Sequence, residues 1–125
     1  MKNLKEYFEN TKGSGVLATA DSSGKVDAAI YSRPHFLEEG TLAFIMRDRL
    51  THHNLQSNPH ATFLFMEGGP GYNGKRLFLK KVREESNPEL IRKIKRRKYT
   101  DDNEEPKFPV YFTLDKELPL IGGQA

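Results

Sequence analysis

Short apolar runs rich in β-branched and aromatic residues alternate with turn sequences along most of the chain, and this pattern restricts the fold more than any other feature. Residues 15–20 form the first run, Asp21-Ser22-Ser23-Gly24 follows, and residues 25–32 resume an extended pattern. Asp, Ser and Gly in such a short connection favour a tight turn. The two runs and the turn between them therefore predict a β-hairpin.

Four further strands are predicted on the same grounds. Glu38-Glu39-Gly40 marks a turn before residues 41–46, whose uncharged β-branched and aromatic side chains are typical of a strand buried on both faces. Residues 67–74 contain four glycines and a proline, so we expect a loop there. The remaining predicted strands comprise residues 60–66, 75–82 and 108–114.

Three helices accompany these strands. Residues 3–10 carry apolar side chains at helical spacing, and a second helix is predicted between Arg49 and Pro59. That helix should stop before Pro59, because the residue before a proline avoids the α conformation. A third helix should start at Asn87-Pro88-Glu89, which combines an N-cap residue, a proline at the first helical position and an acid in the first turn.

This order of elements, with its short connections, predicts a mainly β protein with short helices (α+β), built as an antiparallel barrel of six strands. The length of 125 residues is enough for one domain and too short for two, so we expect residues 1–125 to form a single domain. A chain of this size has little surface with which to enclose a large ligand, so a partner subunit is expected to complete any elaborate site.

Composition excludes several classes of function. The chain has no cysteine, which rules out disulfides, thiolate zinc sites and cysteine nucleophiles. Its 20 basic and 17 acidic residues give a net charge of only +3, which disfavours a dedicated nucleic-acid-binding protein. No apolar run approaches the ~18 residues needed to cross a bilayer, and the N-terminus lacks a signal-peptide core. We therefore expect a soluble, cytoplasmic protein with no membrane partner.

The order and spacing of three segments carry a family resemblance that covers nearly the whole chain. The segments are the hairpin from Val16-Leu17-Ala18-Thr19 through Gly24 to Ala28-Ala29-Ile30-Tyr31, the stretch Arg49-Leu50-Thr51-His52-His53-Asn54-Leu55 followed by Asn58-Pro59, and Gly74-Lys75-Arg76-Leu77. Together they resemble the pyridoxamine 5'-phosphate oxidase-like family of FMN-binding split barrels, and especially its shortest members. The resemblance implies a six-stranded antiparallel split β-barrel with FMN as the cofactor.

The resemblance also implies where the FMN phosphate binds, near the end of the third predicted strand and the start of the helix after it. The corresponding residues are Arg47, Arg49, Leu50 and Thr51. A phosphate close to a dianion requires guanidinium groups, a hydroxyl donor and the free amides of a helix N-terminus, and this segment can supply all three. Relatives often place Arg-Lys or Lys-Thr directly before the helix, so Arg47 or Arg49 has to supply the charge that Leu50 lacks. Taken alone, the two arginines beside Asp48 would also fit surface ion pairs.

Two further segments are implied to contact the isoalloxazine ring. The first comprises Ala29, Ile30, Tyr31 and Ser32. Its backbone can recognise the pyrimidine edge of the flavin, and Ile30 or Tyr31 can cover the apolar part of the ring. The second is Lys75-Arg76, where relatives place a polar or basic side chain near the flavin, in some cases from the second subunit. A cation there would stabilise the anionic reduced flavin. An ordinary strand aromatic and a solvated Lys-Arg pair are the alternative readings of these residues.

The family builds its flavin cleft between two barrels, so the resemblance implies a homodimer with FMN at the subunit interface. The implied function is that of an FMN-dependent oxidoreductase, which passes a hydride or electrons between a donor such as a reduced nucleotide and a small-molecule acceptor. A flavin carrier or sensor without turnover remains open. The chain lacks the long C-terminal substrate segment of true pyridoxamine-phosphate oxidases, so vitamin B6 oxidation is not predicted. Because flavin performs the redox step, no catalytic residue is assigned.

Two other functions compete with the flavin prediction. The chain has four histidines, and some split-barrel relatives degrade haem, yet adjacent His52 and His53 point about 100° apart on a helix and do not readily share one metal ion. No metal site is predicted, while haem handling stays open because a single histidine can suffice as an axial ligand. Six of the seven residues from Arg92 to Lys98 are basic, which would suit a polyanion-binding module, although an acidic stretch follows directly. A solvated helix face is the preferred interpretation of this run.

Overall fold

The computed structural model describes residues 2–37, 40–85 and 107–123, in which seven strands and two short helices follow one another. The elements are α1 (Lys2–Asn10), β1 (Gly13–Ala20), β2 (Val26–Ile30), β3 (His35–Phe36), β4 (Thr41–Arg47), α2 (Leu50–Ser57), β5 (His60–Glu67), β6 (Gly74–Glu84) and β7 (Lys107–Pro119). The mainly β class, the first hairpin and the first two helices predicted from the sequence are therefore confirmed. The predicted third helix, starting at Asn87, and the basic run 92–98 lie outside the described residues.

All seven strands form one antiparallel sheet in the order β2-β1-β5-β6-β7-β4-β3. The prediction of six strands was wrong by one. The additional strand, β3, pairs His35 with Ala43 and Phe36 with Leu42. Two residues are too few to show a period-2 pattern, so this strand could not be predicted from the sequence. β2 and β3 lie at the two ends of the order, and pairing between strands does not close the described sheet.

The core lies on one face of this curved sheet, because alternate residues of each strand point inward. On β5, Phe63 and Phe65 are fully buried, whereas the alternating residues Thr62 and Leu64 are only partly buried. Three consecutive residues of β4, from Leu42 to Phe44, are buried, which confirms the prediction of a strand covered on both faces.

Helix α1 covers one end of the core. Its Phe8 is buried, and the ring lies 4.9 Å from the centre of Phe65, 6.2 Å from that of Phe63 and 5.7 Å from that of Phe36. Arg33 donates hydrogen bonds to the carbonyl groups of Phe8 and Thr11, which fixes the end of the helix against the chain after β2. Aromatic packing and this guanidinium therefore hold the N-terminal segment in place.

The opposite face of the sheet carries apolar side chains that the other described elements leave partly or largely exposed. Residues paired directly across neighbouring strands share a face, and Ile30, Val16, Leu64, Arg76 and Leu118 form one such row across five strands. Val26 and Ile30 are 82% and 77% exposed. We define the outer apolar face by its members Val16, Ala18, Ala20, Val26, Ala28, Ile30, Leu64, Phe78 and Leu118.

Candidate functional site

The N-terminus of α2 meets the inner face of β2, and four polar side chains converge there. We call Asp27, Tyr31, Arg49 and Thr51 the α2 cluster. Asp27 lies on β2, and Tyr31 follows the strand, with its backbone N–H donating to the carbonyl oxygen of Gly15 at 3.0 Å. The Tyr31 ring stands edge-on to that of Phe44, with the ring centres 5.8 Å apart, so the core fixes its position.

Hydrogen bonds and charge connect the members of the α2 cluster. The Thr51 hydroxyl donates to a carboxylate oxygen of Asp27 at 3.4 Å and also hydrogen-bonds the Tyr31 hydroxyl. Burial raises the pKa of Tyr31 above its ordinary value, and the negative charge of Asp27 acts in the same direction. The hydrogen bond with Thr51 and the positive charge of Arg49 oppose this rise in pKa. An anion, a cation and two hydroxyls therefore surround one small volume.

The first turn of α2 has the features of an anion site. Arg49, at the N-cap position, is extended (φ −131°, ψ −166°) and makes no side-chain cap, and the first turn contains no acidic residue. The N–H groups at a helix start carry a partial positive charge and attract anions. Leu50 is 54% exposed, whereas Thr51 is 4% exposed and faces inward.

Contacts with β1 hold α2 in this position. The side-chain amide of Asn54, which is buried, donates to the Thr19 hydroxyl at 3.1 Å. At the other end of the helix, the Ser57 hydroxyl accepts a hydrogen bond from the backbone N–H of Ser22 at 3.1 Å. The helix is therefore fixed to β1 and to the turn that follows it, which sets the distance between its first turn and β2.

The structure brings together some of the residues that the sequence proposed for cofactor binding. Tyr31, Arg49 and Thr51 meet at the α2 cluster, Leu50 is exposed in the same turn of the helix, and Ala29 lies on the same face of β2 as Tyr31. Arg47 ends β4, and its carbonyl oxygen accepts from the N–H of Arg49 at 2.8 Å.

Ile30 and Ser32 do not point into the α2 cluster. The Ile30 side chain belongs to the outer apolar face, because side chains alternate along a strand, and Ser32 is exposed beyond the end of β2. The backbone of Ile30 is nevertheless placed to hydrogen-bond a ligand at the edge of the sheet. Because Tyr31 and Ala29 pair with β1 through hydrogen bonds, the N–H and C=O of Ile30 point away from β1 to the edge of the sheet.

Lys75 and Arg76 lie away from the α2 cluster within one chain, since β1 and β5 separate β6 from β2. The Lys75 ammonium forms an ion pair with Glu117 at 2.6 Å and lies 4.8 Å above the ring of Tyr7. Arg76 donates to the carbonyl oxygen of Pro119 at 2.9 Å and to that of Gly122. Both cations are engaged by the C-terminal segment of their own chain.

Asp27 is a member of the site that the sequence analysis missed. Its place was recoverable in principle, because Asp27, Ala29 and Tyr31 occur at alternate positions and a strand directs such residues to one face. An isolated aspartate after a turn did not suggest this role.

A second polar cluster, also missed, surrounds the buried His52, which follows Thr51 in the first turn of α2. The two ring nitrogens of His52 contact Asp48 at 3.1 Å and Glu84 at 2.9 Å, and the ring stacks on Phe108 with 4.3 Å between centres. In residues 2–37, 40–85 and 107–123, no group of three His, Asp or Glu side chains is arranged to hold a metal ion. Neither described helix is both long and apolar enough to cross a membrane.

Comparison with known proteins identifies the fold. No protein-family model and no curated protein sequence matches the chain. An FMN-binding protein from Syntrophomonas wolfei superposes with a TM-score of 0.75 at 21% identity, covering 94% of this chain and 83% of that one. HupZ of group A Streptococcus gives 0.73 at 15% identity, with 96% and 93% of the two chains covered.

A pyridoxamine 5'-phosphate oxidase-like protein from Listeria innocua superposes with a TM-score of 0.69 at 14% identity, covering 95% of this chain and 96% of that one. All three likenesses extend over nearly the whole chain, while their identities are too low to carry an activity across. The chain has the split-barrel fold of the pyridoxamine 5'-phosphate oxidase-like proteins.

Proposed function

We propose that the protein is an FMN-binding flavoprotein that acts as an oxidoreductase. The observation that carries the proposal is the α2 cluster on a split-barrel framework. An FMN phosphate, close to a dianion, would be held by the Arg49 guanidinium, the Thr51 hydroxyl and the first-turn N–H groups of α2. When bound, the flavin would supply hydride or electron transfer between a donor and a small acceptor.

The residues present fit this cofactor with one exception. The exposed edge of β2 offers the N–H and C=O of Ile30 to the hydrogen-bonding edge of the flavin ring, and Tyr31 can pack against the ring. The exception is Asp27, whose carboxylate lies 3.4 Å from the Thr51 hydroxyl and would repel a phosphate. The protein would bind, orient and shield the flavin, and no described residue is assigned a proton transfer.

The proposal includes a homodimer. The outer apolar face extends over strands β2, β1, β5, β6 and β7 and is most exposed at Val26 and Ile30, which suits contact with a second copy. In a symmetric dimer each subunit would complete the site of the other. Arg76, which lies in a row of the outer face and is remote from the α2 cluster of its own chain, would then approach the flavin bound to the second subunit, whereas Lys75 points to the inner face beside Tyr7. A cytoplasmic location remains a further prediction.

Flavin titration tests the phosphate site. The apoprotein is titrated with FMN and with riboflavin, which lacks the phosphate, and fluorescence quenching gives each dissociation constant. A charged hydrogen bond contributes about 1.5–3 kcal/mol, so R49A and T51V should each weaken FMN about tenfold or more and affect riboflavin much less. T51S should restore FMN binding because it keeps the hydroxyl. K80A removes an exposed cation on β6 and serves as the matched control.

The outcome of this titration separates the proposed functions. If the wild-type protein binds neither flavin, or if R49A and T51V bind FMN as tightly as wild type does, the proposed site is wrong. Anaerobic bleaching of bound flavin by NADH or NADPH would support an oxidoreductase. A protein that binds FMN and is bleached by no donor would instead be a flavin carrier or sensor.

A further inference from the structure

We infer that Asp27 is a specificity-determining residue that limits the negative charge accepted at the N-terminus of α2, by competing with the ligand phosphate for Thr51 and the first-turn N–H groups. This inference rests on the proposed function for the identity of the ligand. Its structural basis, an internal carboxylate at an otherwise uncapped helix start, does not depend on flavin.

The position of Asp27 is fixed by the sheet. It pairs directly with Thr19 on β1, and the Thr19 hydroxyl in turn accepts a hydrogen bond from Asn54 of α2. The Asp27 side chain therefore projects from the inner face of β2 next to the helix. Its contact with Thr51, at 3.4 Å, is longer than a typical hydrogen bond between a hydroxyl and a carboxylate. The Thr51 hydroxyl can therefore readily exchange this contact for a hydrogen bond to a better acceptor.

Electrostatics explain why a carboxylate occupies this place. The first turn of α2 contains no acidic residue and no side-chain cap, and Asp48, which precedes the helix, contacts the His52 ring at 3.1 Å. Asp27 brings a further negative charge to the positive end of the helix from the neighbouring strand. Asp27 raises the pKa of Tyr31 and Arg49 lowers it, so both charges lie near the Tyr31 hydroxyl.

A ligand phosphate at the same helix start meets both charges. Arg49 and the helix attract it, and Asp27 repels it. Like charges a few ångströms apart at a partly exposed site weaken binding by about tenfold or more. The predicted result is a site whose preference for FMN over uncharged riboflavin is reduced by Asp27, and in which neutralising Asp27 increases that preference.

The test compares D27N with wild type and with E6Q, which makes the same charge change on the exposed side of α1. Dissociation constants for FMN and riboflavin are measured by fluorescence quenching. We expect D27N to bind FMN about tenfold more tightly while its riboflavin affinity stays within about twofold of wild type. E6Q should change neither. An equal change for both flavins, or weaker FMN binding, would overturn the inference, because Asp27 would then accept hydrogen bonds from the ribityl chain.

A second measurement does not require flavin. Pyrophosphate is titrated into 15N-labelled wild-type and D27N protein, and the amide shifts of Leu50 and Thr51 are followed. If these shifts saturate in D27N at a pyrophosphate concentration about tenfold lower than in wild type, the role of Asp27 is supported. This holds even if neither flavin binds and the proposed function fails. The same saturation concentration in both proteins, or no shift in either, would overturn it. Unchanged shifts for residues of β5 show that D27N retains the fold.

Discussion

His52 joins three segments of the chain through its two ring nitrogens and one face of its ring. Asp48 precedes α2, Glu84 ends β6, and Phe108 begins β7. Glu84 is the centre of this cluster, because it also accepts hydrogen bonds from Lys81 at 2.8 Å and from Gln56 at 3.1 Å. The cluster holds α2 against β6 and β7.

The charge of Glu84 should make stability depend on pH. Burial raises the pKa of this carboxyl, but hydrogen bonds from Lys81, His52 and Gln56 outweigh burial and lower the pKa from 4.5 to about 2. A folded-state pKa below the unfolded value stabilises the protein above pH 4.5, and this contribution is lost as the pH falls toward 2. E84Q should therefore be about 2 kcal/mol less stable than wild type at pH 7, and the difference should shrink below pH 4.5.

Urea unfolding at a series of pH values measures this difference, with E6Q as the control for loss of an exposed carboxylate. Since the Glu84 side chain is 24% exposed, solvent screens only part of its interaction energy. A stability difference between E84Q and wild type that stays constant from neutral pH to pH 3 would contradict the assignment.

The sequence predicted local members of the α2 cluster better than distant ones, and it predicted no member of the His52 cluster. Arg49 and Thr51 were identified because they are close in sequence at a helix start, where the chemistry of phosphate binding is recognisable. Asp27 was not, because its approach to Thr51 depends on how α2 packs on β1 and β2. Glu84 reaches His52 from β6, and the register that brings them together is set by tertiary pairing.

At the scale of elements, the β5–β6 hairpin depends on a close approach of two backbones. Gly74 begins β6 opposite Met66, and a Cβ added at Gly74 would overlap the carbonyl oxygen of Phe65. Gly68, in the loop of the same hairpin, has room, since the nearest atom to an added Cβ would be the carbonyl oxygen of Lys12 at 3.6 Å. The two glycines therefore have different roles.

These roles predict opposite outcomes for the same substitution. G74A should destabilise the protein by about 2 kcal/mol or more, because either the strand or Phe65 must move. G68A should stay within about 1 kcal/mol of wild type, since alanine there meets only ordinary contacts and reduces the freedom of the unfolded chain. Thermal unfolding followed by circular dichroism compares the two. Equal losses of stability in G74A and G68A would show that the close approach at Gly74 is not what selects glycine.

Strand positions were largely predictable, and strand ends were not. The predicted strands 75–82 and 108–114 extend to Gly74–Glu84 and Lys107–Pro119 in the structure. Their additional residues are mostly charged or are prolines, so hydropathy does not reveal them. β6 and β7 pair with each other along these extensions, with register shifts after Phe78 and Lys81. Cross-strand hydrogen bonds, which have no sequence signature, lengthen both strands.

At the scale of the whole molecule, the outer apolar face predicts self-association. Ile30 stands near one end of this face, and its side chain is largely exposed in the single chain. A lysine there would be forced into an apolar contact without a partner charge. I30K should therefore convert a dimer into a monomer, whereas L37K, beyond β3 at the other edge of the sheet, should remain dimeric.

Sedimentation equilibrium of wild type, I30K and L37K checks this prediction over a range of protein concentrations. A wild-type protein that remains monomeric at high concentration would contradict the proposed interface, as would an I30K variant that dimerises like wild type. If the flavin lies between subunits, I30K should also lose FMN affinity although its α2 cluster is intact.

The pairing of β4 with β7 has a consequence for how the chain is made. Arg47 pairs with Lys107 and Thr41 with Thr113, so the partner of β4 is synthesised more than fifty residues after it. Phe8 of α1 likewise packs against Phe63 and Phe65 of β5, which are synthesised more than fifty residues after it. Contacts between such distant parts of a chain form slowly, because a long loop must close first. A ribosome paused before Lys107 would thus carry a nascent chain with an unpaired apolar strand, a substrate for chaperones rather than a partial barrel.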